Sequence, residues 1–354
     1  MAAALQETLE TPVLVEHQAG MLELVLNRPR ALNTLNPEMI RLLQQGLNTA
    51  RTEGDCRLVL LRGAGERGFC AGGDLKALVQ MVREKAWDRA SRFFQEEYAL
   101  DLDLHRFPKP LVALAAGITM GGGLGLAAGA DLVVVTEDSR LAMPETGIGF
   151  FPDVGATGWL FAKCPPGYPE YLALTGKEVR GAEAVRLGLA THLVPAAKLP
   201  ALLEALREEA PQLPPAKEEA VPRLEEILTS RGEQKISARP ELDAWVARHF
   251  AGKTSVQEIL DSLAACEDNC RLDGEIRERL QARSPTALAL TLKLLRRNEN
   301  RPLEDVLAAE ARAARFLIAH ADYLEGIRAR LLDRNQQPRW QPASLQELRL
   351  ALDF

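Results

Sequence analysis

The chain reads as an α/β protein whose second half becomes almost wholly helical. Three observations carry that expectation. Short apolar runs, Leu58-Val59-Leu60-Leu61 and Leu132-Val133-Val134-Val135 among them, have the length and composition of buried strands. A strand, a glycine turn, a short helix and a second strand follow one another between residues 111 and 135, the pattern of an α/β crossover. From about residue 156 apolar residues recur at helical spacing instead.

In order along the chain, residues 12–27 alternate apolar and polar on both sides of Gln18-Ala19-Gly20 and predict a β-hairpin. Asn36 and Pro37 have the signature of a helix cap and first position, and Met39, Leu42, Leu43 and Leu47 continue at helical spacing. Residues 57–62 predict a buried strand. A loop follows, then Phe69-Cys70-Ala71-Gly72-Gly73-Asp74-Leu75, whose small residues expose a run of backbone N–H groups ahead of one or two helices over 77–105. Pro108-Lys109-Pro110 punctuates, Leu111 to Ala116 predict a strand, and Gly121-Gly122-Gly123 turn it into a short helix. Helical stretches at 181–187 and 199–209 precede Pro211, Pro214 and Pro215. Those prolines place a break between an α/β core over 1–210 and a helical region over 211–354, with further helices near 276–283, 287–296, 303–317 and 323–332.

Composition excludes several classes. Of 354 residues, 47% are hydrophobic and 26% charged, ordinary for a globular enzyme. A net charge of −6 argues against a nucleic-acid or membrane-surface partner. Cys56, Cys70, Cys164, Cys266 and Cys270 form no C-x-x-C, and the five scattered histidines lack ligand spacing, so no metal site is expected. No apolar run approaches the roughly 18 residues of a membrane span. Residues 1–12 contain acid but no Arg or Lys, unlike a signal or transit peptide, so a cytoplasmic enzyme is expected.

Candidate chemistry concentrates between Gly117 and Gly155. A glycine turn that opens a helix gathers N–H groups into an anion-stabilising site, and Glu145 and Asp153 stand among apolar residues that tune carboxylates by burial. Gly123-Leu124-Gly125-Leu126-Ala127-Ala128 also fits the dinucleotide pattern, but Glu145 lies well past the end of the second strand, where the ribose-binding acid belongs. No G-x-S-x-G is present, which removes the nucleophile elbow of a serine hydrolase. Read singly, Asp74 is a helix cap, Asp153 a turn residue and Glu97 one of many helix-face acids.

In combination these pieces resemble the crotonase (enoyl-CoA hydratase/isomerase) superfamily. The resemblance rests on Leu26-Asn27-Arg28-Pro29-Arg30-Ala31-Leu32-Asn33, Phe69 to Leu75, Lys109-Pro110 through Gly125, and Leu174-Thr175-Gly176 through Ala190. It implies a spiral of ββα units followed by the helical region. It implies an oxyanion hole from the backbone N–H groups of Gly73 and Gly122, an acyl-CoA substrate, no separate cofactor and a homo-oligomer. Arg30, Ala31, Leu32, Ala71, Asp74 and Leu75 match segments that line the CoA site, and Glu97 matches a substrate-contacting position. The hydratases carry a glutamate at the position of Gly125 as well as at Glu145. This chain has Glu145 with Asp153 instead, and with Ser284-Pro285-Thr286, Tyr323 to Ala329 and Gln337-Pro338-Arg339-Trp340 it resembles the 3-hydroxyisobutyryl-CoA hydrolase branch. Arg334-Asn335 departs from the Lys-Asp usual in that branch. The resemblance makes Glu145 the catalytic carboxylate and gives Asp153 proton transfer or a hold on the substrate hydroxyl. A single-glutamate enoyl-CoA isomerase is the alternative.

Overall fold

The computed structural model describes residues 11–233, 235–265, 271–333 and 337–348. Cys266, Cys270 and the Arg334-Asn335 pair lie outside the described residues. Strands β1 (Val13–Gln18) and β2 (Met21–Leu26) form the expected antiparallel hairpin. The Asn36 side chain accepts the Met39 N–H at 2.8 Å and starts α1 (Pro37–Thr52).

From there the chain winds in strand–strand–helix units. β3 (Leu58–Gly63) leads to β4 (Gly68–Cys70), and α2 (Leu75–Arg83) and α3 (Trp87–His105) return it to β5 (Leu111–Leu114). β5 leads to β6 (Ile118–Met120), and α4 (Gly122–Ala128) returns it to β7 (Leu132–Val135), which leads to β8 (Arg140–Ala142). Then come α5 (Ala156–Lys163), α6 (Tyr168–Thr175), β9 (Val179–Arg180), α7 (Gly181–Arg186) and β10 (His192–Leu193). One sheet has the order β1-β2-β3-β5-β7-β10 and the other β4-β6-β8-β9, so the chain steps from the large sheet to the small one at each turn of the spiral. This is the ββα spiral that the resemblance implies.

Both faces of the large sheet are covered, which is why its strands are unbroken apolar runs. Leu22, Leu24, Val59 and Leu61 join Leu43 and Leu47 of α1 in the main core. Leu58, Leu60, Val112 and Val134 face the other way. They meet Leu202 and Leu206 of α8 (Leu199–Glu209) and Leu224 and Leu228 of α9 (Lys217–Arg231). Residue 210, the expected boundary, falls between these two helices, which share one face of the sheet.

The remaining helices are α10 (Pro240–Phe250), α11 (Val256–Ala264), α12 (Arg271–Gln281), α13 (Pro285–Asn298), α14 (Leu303–Ile318) and α15 (Ala321–Ile327), and they pack onto the main core. α14 lies against α3 and α5, and α15 against the tight turn Glu145–Ile148. Gly326 permits that last approach, because a Cβ there would stand 2.6 Å from the Ile148 Cα. No helix among the described residues is long and apolar enough to cross a membrane.

Candidate active site

The site begins where β4 and β6 pair in parallel, because the loops leaving them then emerge side by side. The Leu35 N–H donates to Gly72 O at 2.8 Å and the Asp74 N–H to Leu35 O at 2.7 Å, a bridge that passes over the Gly73 N–H. Gly122 is the first residue of α4, so its N–H has no carbonyl one turn back. Among the described residues neither N–H has a backbone acceptor. The two loops touch: a Cβ at Gly72 would stand 3.4 Å from Gly122 N. Two such donors together suit a carbonyl oxygen that acquires negative charge.

Carboxylates close the other side. Glu145 opens the turn after β8, and Gly121, with φ of 52°, leaves room for it; a Cβ at Gly121 would lie 2.7 Å from Glu145 Oε1. Glu145 Oε2 is buried without a partner among the described residues. Burial, and next the charge of Asp153, push the Glu145 carboxyl well above the usual range. Asp153 accepts a hydrogen bond from the Tyr98 hydroxyl at 2.8 Å. Burial raises Asp153 to about 7, with the Tyr98 bond pulling the other way. Glu97 of α3 places Oε1 against Gly122, and burial followed by Asp153 raises it as well.

Two more acids stand behind these. Asp101, one turn along α3 from Glu97, is fully buried with both oxygens unpartnered among the described residues. Burial and then Glu97 push it well up. Glu310 of α14 accepts from Gly155 N at 2.6 Å, Thr157 N at 3.1 Å and Thr157 Oγ1 at 2.5 Å, and burial raises it to about 8. Burial, and next the charges of their neighbours, favour the protonated forms of Glu97, Asp101 and Glu145.

Glu97, Glu145 and Asp153 border one cavity of about 350 Å³, with Tyr98, Asp101 and Glu310 outside its lining. Of the residues expected from the sequence, Gly73, Gly122, Glu97, Glu145 and Asp153 are on its wall, with Ala71 and Leu75. Arg30, Ala31, Leu32 and Asp74 are not. Asp74 pairs with Arg28 at 2.9 Å and caps α2 through the Lys76 and Ala77 N–H groups, so its carboxylate is already engaged. Arg30 is exposed, and Leu32 O receives the Ala71 N–H at 3.0 Å. Phe93, Phe94 and Phe150 make the cavity apolar, and Tyr323, Arg283 and Arg330 reach it from the helical region.

A family model described as Enoyl-CoA hydratase/isomerase matches residues 21–352. The chain belongs to this family. The 3-hydroxyisobutyryl-CoA hydrolase, mitochondrial, of Gallus gallus is 37% identical over 95% of this chain and 86% of its own length. The protein of the same name from Rattus norvegicus is 38% identical over 97% and 87%. Among solved structures, a carnitinyl-CoA dehydratase from Mycobacterium thermoresistibile is 35% identical, with a TM-score of 0.87 over 97% of this chain and 95% of that one. An enoyl-CoA hydratase from Rhodobacter sphaeroides 2.4.1 is 33% identical, with a TM-score of 0.84 over 96% and 94%. The curated relatives are named mitochondrial, so the cytoplasmic expectation finds no support among them.

The resemblance implies a second hydratase glutamate at position 125, where this chain has Gly. A Cβ at Gly125 would stand 2.6 Å from the Val154 Cβ, so Val154 occupies the space a second glutamate would need. Gly123 faces the Cys70 carbonyl in the same way. Two glycines of the dinucleotide pattern, Gly123 and Gly125, are therefore packed against Cys70 and Val154. Among the described residues no group of His, Cys, Asp or Glu has the arrangement of a metal site. Tyr98, Asp101, Glu310, Arg283 and Arg330 are among the polar residues at or behind the cavity that the sequence did not single out.

Proposed function

We propose that this chain hydrolyses a short 3-hydroxyacyl-CoA thioester, with 3-hydroxyisobutyryl-CoA, an intermediate of valine breakdown, as its first candidate. One observation carries the reading: Glu145 and Asp153 share a cavity with two unengaged N–H groups, while Val154 fills the place of a hydratase's second glutamate. The curated relatives that are 36–38% identical support it by name.

The thioester oxygen would accept from the Gly73 and Gly122 N–H groups, which stabilise the charge it gains when the carbonyl carbon is attacked. Glu145 serves in one of two ways. As nucleophile, its carboxylate bonds to the carbonyl carbon, the C–S bond breaks, and water then cleaves the resulting anhydride. As base, it takes a proton from a water that attacks directly. Either route consumes one water and yields the free acid and CoA. The burial that raises the proton affinity of Glu145 also strengthens it for either task once ionised. Asp153, whose carboxyl burial raises to about 7, supplies the proton the departing thiolate requires.

Coenzyme A belongs to the substrate in this reading, and no separate cofactor is used. Arg30, Ala31, Leu32, Ala71, Asp74 and Leu75 are assigned to the CoA side and Glu97 to the acyl side. A homo-oligomer and a cytoplasmic location remain parts of the proposal, the latter set against relatives named mitochondrial; sizing by light scattering and cell fractionation test them. The reaction is tested by thiol release across a panel of short acyl-CoA esters. CoA release fastest from 3-hydroxyisobutyryl-CoA supports the reading. Double-bond migration in an enoyl-CoA without thiol release would make the chain an isomerase.

A further inference from the structure

Arg283 is an unusual side chain for a cavity that receives a thioester, which is neutral. It precedes the Ser284 cap of α13 and lines the same wall as Glu145 and Gly147, with Arg330 beside it. Its Nη2 donates to Thr175 O at 2.7 Å, which fixes the guanidinium plane. Its Nε is buried without an acceptor, and among the described residues no carboxylate forms an ion pair with it. Burial and next the like charge of Arg330 lower the guanidinium to about 10, so it remains a cation at neutral pH. The guanidinium is half-buried, and its nearby opposite charge, Glu145, does not pair with it directly, so an anion entering the cavity would offset the cost of its desolvation.

Both arginines border the segment just after Glu145. A Cβ on Gly147 would collide with Arg283 Nη1, and Arg330 Nε donates to Gly147 O at 3.3 Å. This is the end of the cavity where the carbonyl reacts. The phosphates of CoA are held away from that end by the length of the pantetheine arm, so they are the wrong anions for this place. A carboxylate on the acyl part has the planar shape and the position that a fixed guanidinium binds.

We propose that Arg283, flanked by Arg330, is a carboxylate-binding subsite at the acyl end of the cavity. The inference rests on the thioesterase reading. Two sources present this chemistry there: the acid that hydrolysis releases, and the distal carboxylate of a dicarboxylic acyl-CoA.

The test uses the full chain, its Arg283→Met and Arg283→Lys variants, and two readouts. Equilibrium titration measures the affinity of 3-hydroxyisobutyrate, of its neutral amide and of free CoA, none of which depends on turnover. Initial rates compare succinyl-CoA with butyryl-CoA. Loss of one charged hydrogen-bonding group predicts about tenfold weaker binding of the acid in Arg283→Met, partly regained in Arg283→Lys, with amide and CoA unchanged. A tenfold fall in the succinyl-to-butyryl rate ratio, with acid binding intact, assigns the subsite to a distal carboxylate. No change in either, or a fall in CoA affinity, overturns the proposal. Should Arg283→Met not fold, equal binding of acid and amide by the unsubstituted chain overturns it, and tighter acid binding that weakens in Arg283→Lys supports it. Failure of the thioesterase reading is visible separately, as absence of CoA release from every ester by the unsubstituted chain.

Discussion

Tyr98 opposes the effect of burial on Asp153. Its hydroxyl donates to Asp153 at 2.8 Å and favours the ionised form of that carboxyl, against burial, which raises it to about 7. Tyr98→Phe removes the stabilising bond, so the limb of the pH–rate profile that Asp153 governs should move about one pH unit upward. A profile in which no limb moves would detach Asp153 from the rate. Stability follows the same groups. Asp153 and Glu310 bind protons more tightly folded than unfolded, at about 7 and about 8. Their contribution is therefore most favourable below the ordinary carboxylate range and is lost as pH rises through those values. Melting temperature should fall between pH 5 and pH 8, and Asp153→Asn should flatten that fall; a slope identical to the parent's would remove Asp153 as a source. Glu145 and Asp153 were legible in the sequence because a compact motif carries both. Asp101 and Glu310 were not. Nothing local distinguishes a helix acid facing a core from one facing water, and only the packing of α14 on α3 makes the difference.

At the scale of elements, two close approaches hold the site together. Val154 fills the space beside Gly125, so Gly125→Glu, which restores the hydratase residue, must displace it. The substitution should cost about 1–3 kcal/mol in denaturant unfolding and create no hydration of crotonyl-CoA. Hydration appearing with unchanged stability would mean that the space is not filled. Gly326 lets α15 rest on the turn Glu145–Ile148, and α15 carries Tyr323 to the cavity. Gly326→Val should lower kcat/KM about tenfold or more, measured by thiol release, through misplacement of Glu145 and its surroundings. The elements themselves were unequally legible. Hairpin, α1, β3 and the later helices follow from periodicity and caps. The small sheet does not, since β4, β6 and β8 are three residues each, too short for any alternation to show.

For the whole molecule, one apolar core runs from Val13 to Ile327 and joins the spiral to the helical region. Unfolding in denaturant should therefore be a single transition, with tryptophan fluorescence and far-UV circular dichroism coinciding. Two separated transitions would favour independent units divided near residue 210. The proline cluster at 211–215 suggested such a division, because a sequence shows where helices stop and not what they cover. Here α8 and α9 lie on the same sheet face across that point. The spiral brings Gly73, Gly122, Glu145 and Asp153 together from loops far apart in the chain, and the helical region closes the cavity. The central claim is that this assembly cleaves a thioester with Glu145. The most direct test is CoA release from 3-hydroxyisobutyryl-CoA by the parent and by Glu145→Gln at matched CoA affinity. The account predicts stoichiometric CoA and free acid from the parent, and a rate lower by about a thousandfold or more in the variant. Equal rates in the two proteins would contradict it.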